Sequence, residues 1–269
     1  MKRTLAAGLF ALFASHAFAE EAVWAPSTFT LSNGMDVVVI PDHRAPVVTH
    51  MVWYKVGAVD EAPGKSGIAH LFEHVMFKQT KNIGPEEFTA IVQRSGGQLN
   101  AFTSWDYTAY YERVAKPQLG KMMELEAERM VNLLIDNDPK GPFISERDVV
   151  KEERRQRIDN NPNVILQEKV LGAFWKGHPY EITVIGKMDE VAALTPQDGL
   201  EFYTQYYSPE NAILVVAGDV TPEDVRARAE THYGVITPTG TAKSERKWQP
   251  VAPLTETQLI THSDPKVRQ

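Results

Sequence analysis

The chain has 269 residues, with 28 Lys or Arg against 35 Asp or Glu, a net charge of −7 and no cysteine. Disulfides and thiolate chemistry are therefore excluded, and any metal must be held by nitrogen and oxygen. An acidic chain without an arginine-rich stripe also argues against nucleic acid or an anionic membrane surface as partner.

Residues 1–19 read as a secretory signal. Lys2 and Arg3 form a positive start, residues 5–14 are apolar, and Ala17-Phe18-Ala19 is a small-x-small cleavage site. The apolar run is short for a bilayer span and is followed by Glu20 and Glu21. Cleavage after Ala19 is expected, giving a periplasmic or secreted protein with no membrane partner. Loss of Lys2 and Arg3, and of no acidic residue, takes the charge from −7 to −9. About 250 residues remain, enough for one large domain or two small ones.

Segments 29–31 and 37–40 flank Asn33-Gly34, a hairpin signal, and 47–56 reads as a further strand. A loop with Gly and Pro over 57–67 leads to a helix starting near Ser66-Gly67. A second helix runs from Pro85 to about Gln93 and stops before Ser95-Gly96-Gly97. Segments 98–103 and 107–114 are predicted strands. In the second, Tyr107, Ala109, Tyr111 and Arg113 share one face, and Thr108, Tyr110, Glu112 and Val114 the other. Helices are then expected over 117–134, 145–159 (charged, with Val149, Val150 and Ile158 apolar), 163–174 and 196–206. A strand over 213–219 and a helix opened by Thr221-Pro222-Glu223-Asp224 and reaching about Tyr233 follow. Residues 236–253, rich in Thr, Pro, Lys and Ser, read as a linker. Residues 254–269 read as the start of an incomplete second domain, with 258–262 as one unpartnered strand. The whole predicts one α+β domain over 25–235, with a mixed, mainly antiparallel sheet and helices packed against it.

The chemistry-bearing motif is His70-Leu71-Phe72-Glu73-His74, inside the hydrophobic run 67–77. On a helix, residues four apart stand one above the other, so both imidazoles can reach one metal. Glu73 lies beside that face, where a carboxylate can work on a water at the metal. An inverted zinc-peptidase motif has this spacing. The plainer reading is a pair of helix histidines with a salt-bridging glutamate. Two histidines call for one more ligand, which must be Asp, Glu or His, and the 145–159 helix offers Glu146, Glu152 and Glu153. Glu146 and Glu153 are two turns apart on one face, so one can bind the metal while the other fixes a histidine through its second ring nitrogen. Spacing alone does not separate Glu152 from Glu153.

Several segments together resemble one family. They are Gly67-Ile68-Ala69-His70-Leu71-Phe72-Glu73-His74-Val75-Met76-Phe77-Lys78-Gln79-Thr80, Gly97-Gln98-Leu99-Asn100-Ala101-Phe102-Thr103, Asp106-Tyr107-Thr108, Glu146-Arg147-Asp148-Val149-Val150-Lys151-Glu152-Glu153 and Tyr203-Thr204-Gln205-Tyr206-Tyr207-Ser208-Pro209-Glu210-Asn211, the last followed by Val215-Val216-Ala217-Gly218-Asp219. In order and spacing they are similar to the N-terminal α/β domain of the pitrilysin-type (M16) zinc metallopeptidases, which include insulin-degrading enzymes and the mitochondrial processing peptidase. The resemblance implies one Zn2+ per chain, held by His70, His74 and, in preference to Glu152, Glu153. It implies Glu73 as general base, Glu146 as a supporting carboxylate, and Asn100, Ala101, Phe102 and Thr103 as an edge strand that pairs with the substrate backbone. The function implied is zinc-dependent endopeptidase action on peptides or small proteins in extended conformation. Family members carry a second half with an Arg/Tyr pair that holds substrate and stabilises the oxyanion, whereas this chain ends at Gln269. A second half or partner subunit is thus expected for full activity. The alternative is a non-catalytic, zinc-containing peptide-binding or structural subunit.

Overall fold

The computed structural model describes residues 25–240, 246, 251 and 256–265. The predicted signal 1–19 lies outside these residues, as do parts of the predicted linker and of the segment 254–269. Runs rich in β-branched and aromatic residues form β1 (Ser27–Thr30), β2 (Asp36–Pro41), β3 (Val47–Tyr54), β4 (Gln98–Thr103), β5 (Thr108–Ala115) and β6 (Ala212–Gly218). The helices are α1 (Ile68–Val75), α2 (Glu87–Arg94), α3 (Leu119–Asn132), α4 (Pro142–Arg154), α5 (Pro162–Phe174), α6 (Met188–Ala193), α7 (Pro196–Tyr206) and α8 (Pro222–His232).

The strands form one mixed sheet in the order β1-β2-β6-β3-β5-β4. Only the β2–β6 pair is parallel, and the other four pairs are antiparallel. The late strand β6 inserts between β2 and β3, so the chain returns to the sheet centre after the helical stretch that follows β5. The sheet ends at β4, which pairs with β5 alone among the described residues.

Alternation decides which side chains enter the core. On β3, Val48, His50, Val52 and Tyr54 are buried while their neighbours are half-exposed. On β5, Thr108, Tyr110, Glu112 and Val114 turn inward, the face predicted to differ from Tyr107, Ala109, Tyr111 and Arg113. Leu119, Met122, Met123, Leu125 and Met130 of α3 belong to the same buried core. An ionic cluster sits within that core. Arg129 donates to Glu126, with Nε at 2.8 Å from Oε2, and its guanidinium carbon lies 4.4 Å from the Tyr110 ring centroid and 4.5 Å from that of Phe88. His50 Nδ1 is 2.9 Å from Glu112 Oε2, and His50 Nε2 is 2.9 Å from the Tyr233 hydroxyl. Buried charges persist only where partners of this kind surround them.

The hairpin expectation holds, and three others need correction. At Asn33-Gly34, β1 and β2 pair antiparallel as expected, residues 31–35 forming the connection, closed by Leu31 N–H to Met35 O at 2.9 Å. Asn33 Oδ1 accepts from Met35 N–H (3.3 Å) within the turn, and its Nδ2 also reaches Tyr233 O (2.8 Å) just past α8, a long-range contact added to local turn chemistry. The charged helix starts at Pro142 rather than Ser145, because proline lacks the N–H that a first turn leaves unpaired. It ends at Arg154, and Arg155–Asp159 continue as a turn of π-helix. The predicted strand at 258–262 has no regular structure. The short α6 was not anticipated, since six residues are too few to display a helical period.

Candidate metal centre

Helix α1 divides by periodicity into two stripes. Ile68, Ala69, Leu71, Phe72 and Val75 are buried, and Phe72 packs its ring on Phe202, Tyr203 and Tyr207. His70, Glu73 and His74 occupy the other stripe and are half-buried. The apolar stripe thereby fixes the rotation of the polar one. The N-terminus of α1 is held from a distance. Gly67 precedes the helix with a φ of 89°, and Glu61 accepts from Gly67 N–H at 3.1 Å and Ala69 N–H at 2.9 Å. Ser66 does not cap the helix, as its hydroxyl accepts from Lys187 N–H (3.0 Å). Glu61 satisfies amides that helix geometry leaves open, yet no local capping pattern in the sequence points to it.

Helix α4 packs on α1; its buried side carries Phe143, Glu146, Val150 and Arg154, and Glu153 is half-buried. Glu153 Oε2 lies 3.5 Å from His74 Nε2 and 3.8 Å from His70 Nε2. Three donor atoms, one each from His70, His74 and Glu153, all lie within 4.8 Å of one another. Tetrahedral donors at zinc bond lengths of roughly 2.0–2.2 Å are separated by about 3.3–3.5 Å. The two nitrogens and one oxygen therefore fit a single divalent ion after small side-chain movements. Glu152 points away, pairing with Arg155 at 2.9 Å on the exposed side.

The two histidines are held differently. Glu146 Oε2 is 3.1 Å from His74 Nδ1, an arrangement that assigns the ring proton to Nδ1 and leaves the Nε2 lone pair towards Glu153. Burial opposes charge on His74, but hydrogen bonds to Glu146 and Glu153 outweigh it and raise its pKa to about 9 without metal. Burial, reinforced by the neighbouring His74, lowers His70 to about 4, and its Nδ1 is enclosed with no hydrogen-bond partner among the described residues. Glu146 also takes Lys78 Nζ at 2.8 Å on its Oε1, and Glu153 Oε1 takes Arg157 Nη1 at 2.7 Å. Burial resists ionisation of Glu146, yet the hydrogen bonds from His74 and Lys78 hold its carboxyl below the usual range. Neither Lys78 nor Arg157 was singled out from sequence. Lys78 falls just past the end of α1, where helical spacing no longer indicates direction.

Glu73 stands outside the three-donor set and accepts the Thr103 hydroxyl on its Oε2. Burial pushes its carboxyl above the ordinary range, with Thr103 working the other way. Thr103 is the last residue of the edge strand β4, and α1 packs beside that strand. Along β4, Asn100 is exposed, Ala101 buried, and Phe102 and Thr103 half-buried. Phe102 packs edge-on against Trp53 at 5.2 Å, while Asn100 Oδ1 accepts from Ala101 N–H at 2.9 Å. The arrangement gathers three metal donors, a carboxylate held off them and an open strand edge. Such a set can bind an ion, take a proton and lie beside an extended chain.

Comparison with known proteins gives the family. Residues 36–187 match the family described as Insulinase (Peptidase family M16), and residues 193–269 match Peptidase M16 inactive domain. The second match begins ahead of α7, although β6 lies within the single sheet. The chain is 43% identical over 205 residues to Zinc protease PqqE of Helicobacter pylori, covering 76% of this chain and 46% of the relative. It is 34% identical over 207 residues to Uncharacterized zinc protease ML0855 of Mycobacterium leprae, covering 76% and 45%. The crystal structure of a protease from Helicobacter pylori superposes with a TM-score of 0.77 at 41% identity, covering 80% of this chain and 51% of that one. The first half of the periplasmic protease PqqL from Escherichia coli shares the fold at a TM-score of 0.74 and 24% identity, covering 83% and 48%. The chain thus spans about half the length of the curated relatives it matches. A matched stretch covering more than half the sequence, with the His70–His74 segment inside it, settles its kinship: the chain belongs to peptidase family M16.

Proposed function

We propose that this chain is the zinc-binding half of an exported metalloendopeptidase that cleaves peptides or small proteins in extended conformation, completed by a second half or partner subunit. The observation that carries the reading is the convergence of His70 Nε2 and His74 Nε2 on Glu153 Oε2, with Glu73 held apart from them by Thr103. In this reading His70, His74 and Glu153 hold the ion and Glu146 orients His74. When bound, zinc supplies Lewis acidity to the scissile carbonyl and to the attacking water.

The chain's own groups do the rest. Glu73, a carboxylate near but off the donor set, accepts the proton of the attacking water and returns it to the departing amine. Burial raises its proton affinity, which suits a group that must hold that proton between the two steps. The open edge of β4 offers backbone groups to an extended substrate, with Asn100, Ala101, Phe102 and Thr103 as the contact residues. Because Asn100 Oδ1 already holds Ala101 N–H, an arriving peptide has to displace that side chain. Oxyanion stabilisation is assigned to the second half. Export is supported by the pattern of residues 1–19 and by the periplasmic source of the structural relative from Escherichia coli. Among the described residues, no helix is long and apolar enough to cross a membrane.

Metal analysis of the mature chain and its variants tests the reading. About one zinc per chain is expected, lost in His70→Ala and Glu153→Gln and retained in Glu152→Gln and Glu73→Gln. With the second half of a relative supplied, turnover is expected to appear and to vanish in Glu73→Gln. Retention of zinc by Glu153→Gln with loss in Glu152→Gln would reject the ligand set. Robust turnover by the mature chain alone would reject the need for a second half.

A further inference from the structure

Lys78 is placed to act on the metal centre without touching it. Its Nζ lies 2.8 Å from Glu146 Oε1, and Glu146 Oε2 lies 3.1 Å from His74 Nδ1. Both oxygens of that carboxylate are therefore engaged, one by an ammonium and one by the imidazole. A carboxylate with one oxygen free could rotate and release the ring; with both taken it has a single orientation. The pair is sheltered, with side-chain exposures of 24% for Lys78 and 12% for Glu146. The lysine's other partner, Glu86, is 3.4 Å away and 72% exposed, so solvent screens that contact. The backbone fixes the reach as well. Lys78 N–H bonds Val75 O at 2.9 Å in the turn that closes α1, which ties its Cα to the helix carrying His74.

We propose that Lys78 is a positioning residue of the metal centre, acting through Glu146 to hold the His74 ring with Nε2 turned towards Glu153 and His70. The inference rests on reading His70, His74 and Glu153 as the zinc ligands, and it adds to that set a residue outside it. Arg157 makes the comparable contact with Glu153, but its side chain is 74% exposed and its contribution is correspondingly smaller.

The test is zinc affinity of the mature chain, residues 20–269, measured by competition with a chromophoric chelator, which requires no turnover. Lys78→Met is expected to weaken zinc binding about tenfold, the lower end of what loss of an outer carboxylate partner costs. Lys78→Arg, which keeps the charge, is expected to restore most of the loss. Since Lys78 acts through Glu146, adding Lys78→Met to Glu146→Gln should cost less than about twofold more, whereas independent effects would multiply. The absorption spectrum of the Co2+-loaded chain should also shift in Lys78→Met, because it reports ligand geometry, while the melting temperature of the metal-free chain stays within a few degrees. Should Lys78→Met misfold, Lys78→Gln is measured in its place. Parental affinity and an unchanged cobalt spectrum in Lys78→Met, or multiplying losses in the double variant, would overturn the role of Lys78 and leave the zinc site standing. A parental chain that binds no zinc would overturn the ligand set and this inference with it.

Discussion

Thr103 connects the strand edge to Glu73, the base in the proposed function. Its hydroxyl donates to Glu73, thirty residues away in sequence, so the end of β4 and the helix stripe of α1 share a hydrogen bond. A hydroxyl donor keeps the carboxylate directed and leaves its second oxygen for a water proton. Thr103→Val keeps the shape and removes the donor. With the second half present, kcat is expected to fall about tenfold while KM changes little, a fraction of the 10²–10⁴ typical of general acid–base groups. Thr103→Ser should recover most of the rate. A matching rise in KM with kcat unchanged would mean that Thr103 serves substrate binding alone. At this scale the sequence was most informative where spacing is local. His70 and His74 are legible as a pair because four residues make one helical turn. Thr103 was legible only as a strand residue, since a bond between strand and helix leaves no periodic trace. Glu153 and Glu152 are adjacent, and only the packing of α4 on α1 turns one inward and the other to Arg155.

Helix α1 delivers its polar stripe because its first turn is clamped. Gly67, at a φ of 89°, touches the loop before α6 so closely that a Cβ there would lie 2.6 Å from both Ile185 O and Val191 Cγ2. Gly186, in that loop, would place a Cβ 2.5 Å from Gly67 N. The two glycines allow backbone to meet backbone where side chains have no room. Gly64 has a similar φ of 82° but nothing within 4 Å, which makes it a control. Gly64→Ala is expected to cost about 1 kcal/mol, the strain of a left-handed alanine. Gly67→Ala should cost at least about 2 kcal/mol, as strain and overlap add. Urea unfolding of the metal-free chain measures both, and equal losses would show that the contact with 185–191 carries no weight. Nothing in the sequence near Gly67 announces this partner, for it lies more than a hundred residues away.

The buried ionic cluster ties the sheet to two helices at once: His50 lies on β3, Glu112 on β5, Glu126 and Arg129 on α3, and Tyr233 just past α8. His50 is neutral in the fold. Burial lowers its pKa to about 4, with the charge of Arg129 adding and that of Glu126 opposing. Its hydrogen bonds suit that state, since Nδ1–H can donate to Glu112 while Nε2 accepts from Tyr233. The unfolded ring titrates near 6.5, so the unfolded chain takes up a proton that the folded one refuses. Stability from this group is present above pH 6.5 and is lost as the pH falls towards 4. Relative to His50→Gln, the wild-type chain should lose about 2 kcal/mol of unfolding free energy between pH 7 and 4.5. A difference that stays constant across that range would mean the ring is charged when buried. None of these groups is readable as a cluster from the sequence, where Glu112 is one of four residues sharing a strand face and Glu126 and Arg129 read as charges available for solvent on an amphipathic helix, an expectation that their complete burial overturns.

The sequence by itself determined what depends on neighbours along the chain. The α1 stripe of His70, Glu73 and His74, the alternation of β5 and the β-then-helix order follow from periods of 3.6 and 2, which are local properties of the backbone. Tertiary structure alone decided the insertion of β6 between β2 and β3, the inward turn of Glu153, the reach of Lys78 to Glu146 and the bond from Thr103 to Glu73. Each of these joins residues on different elements, and their meeting is set by how the apolar faces of the helices pack against one another and the sheet. That packing is a property of the whole core, so no single window of sequence contains it.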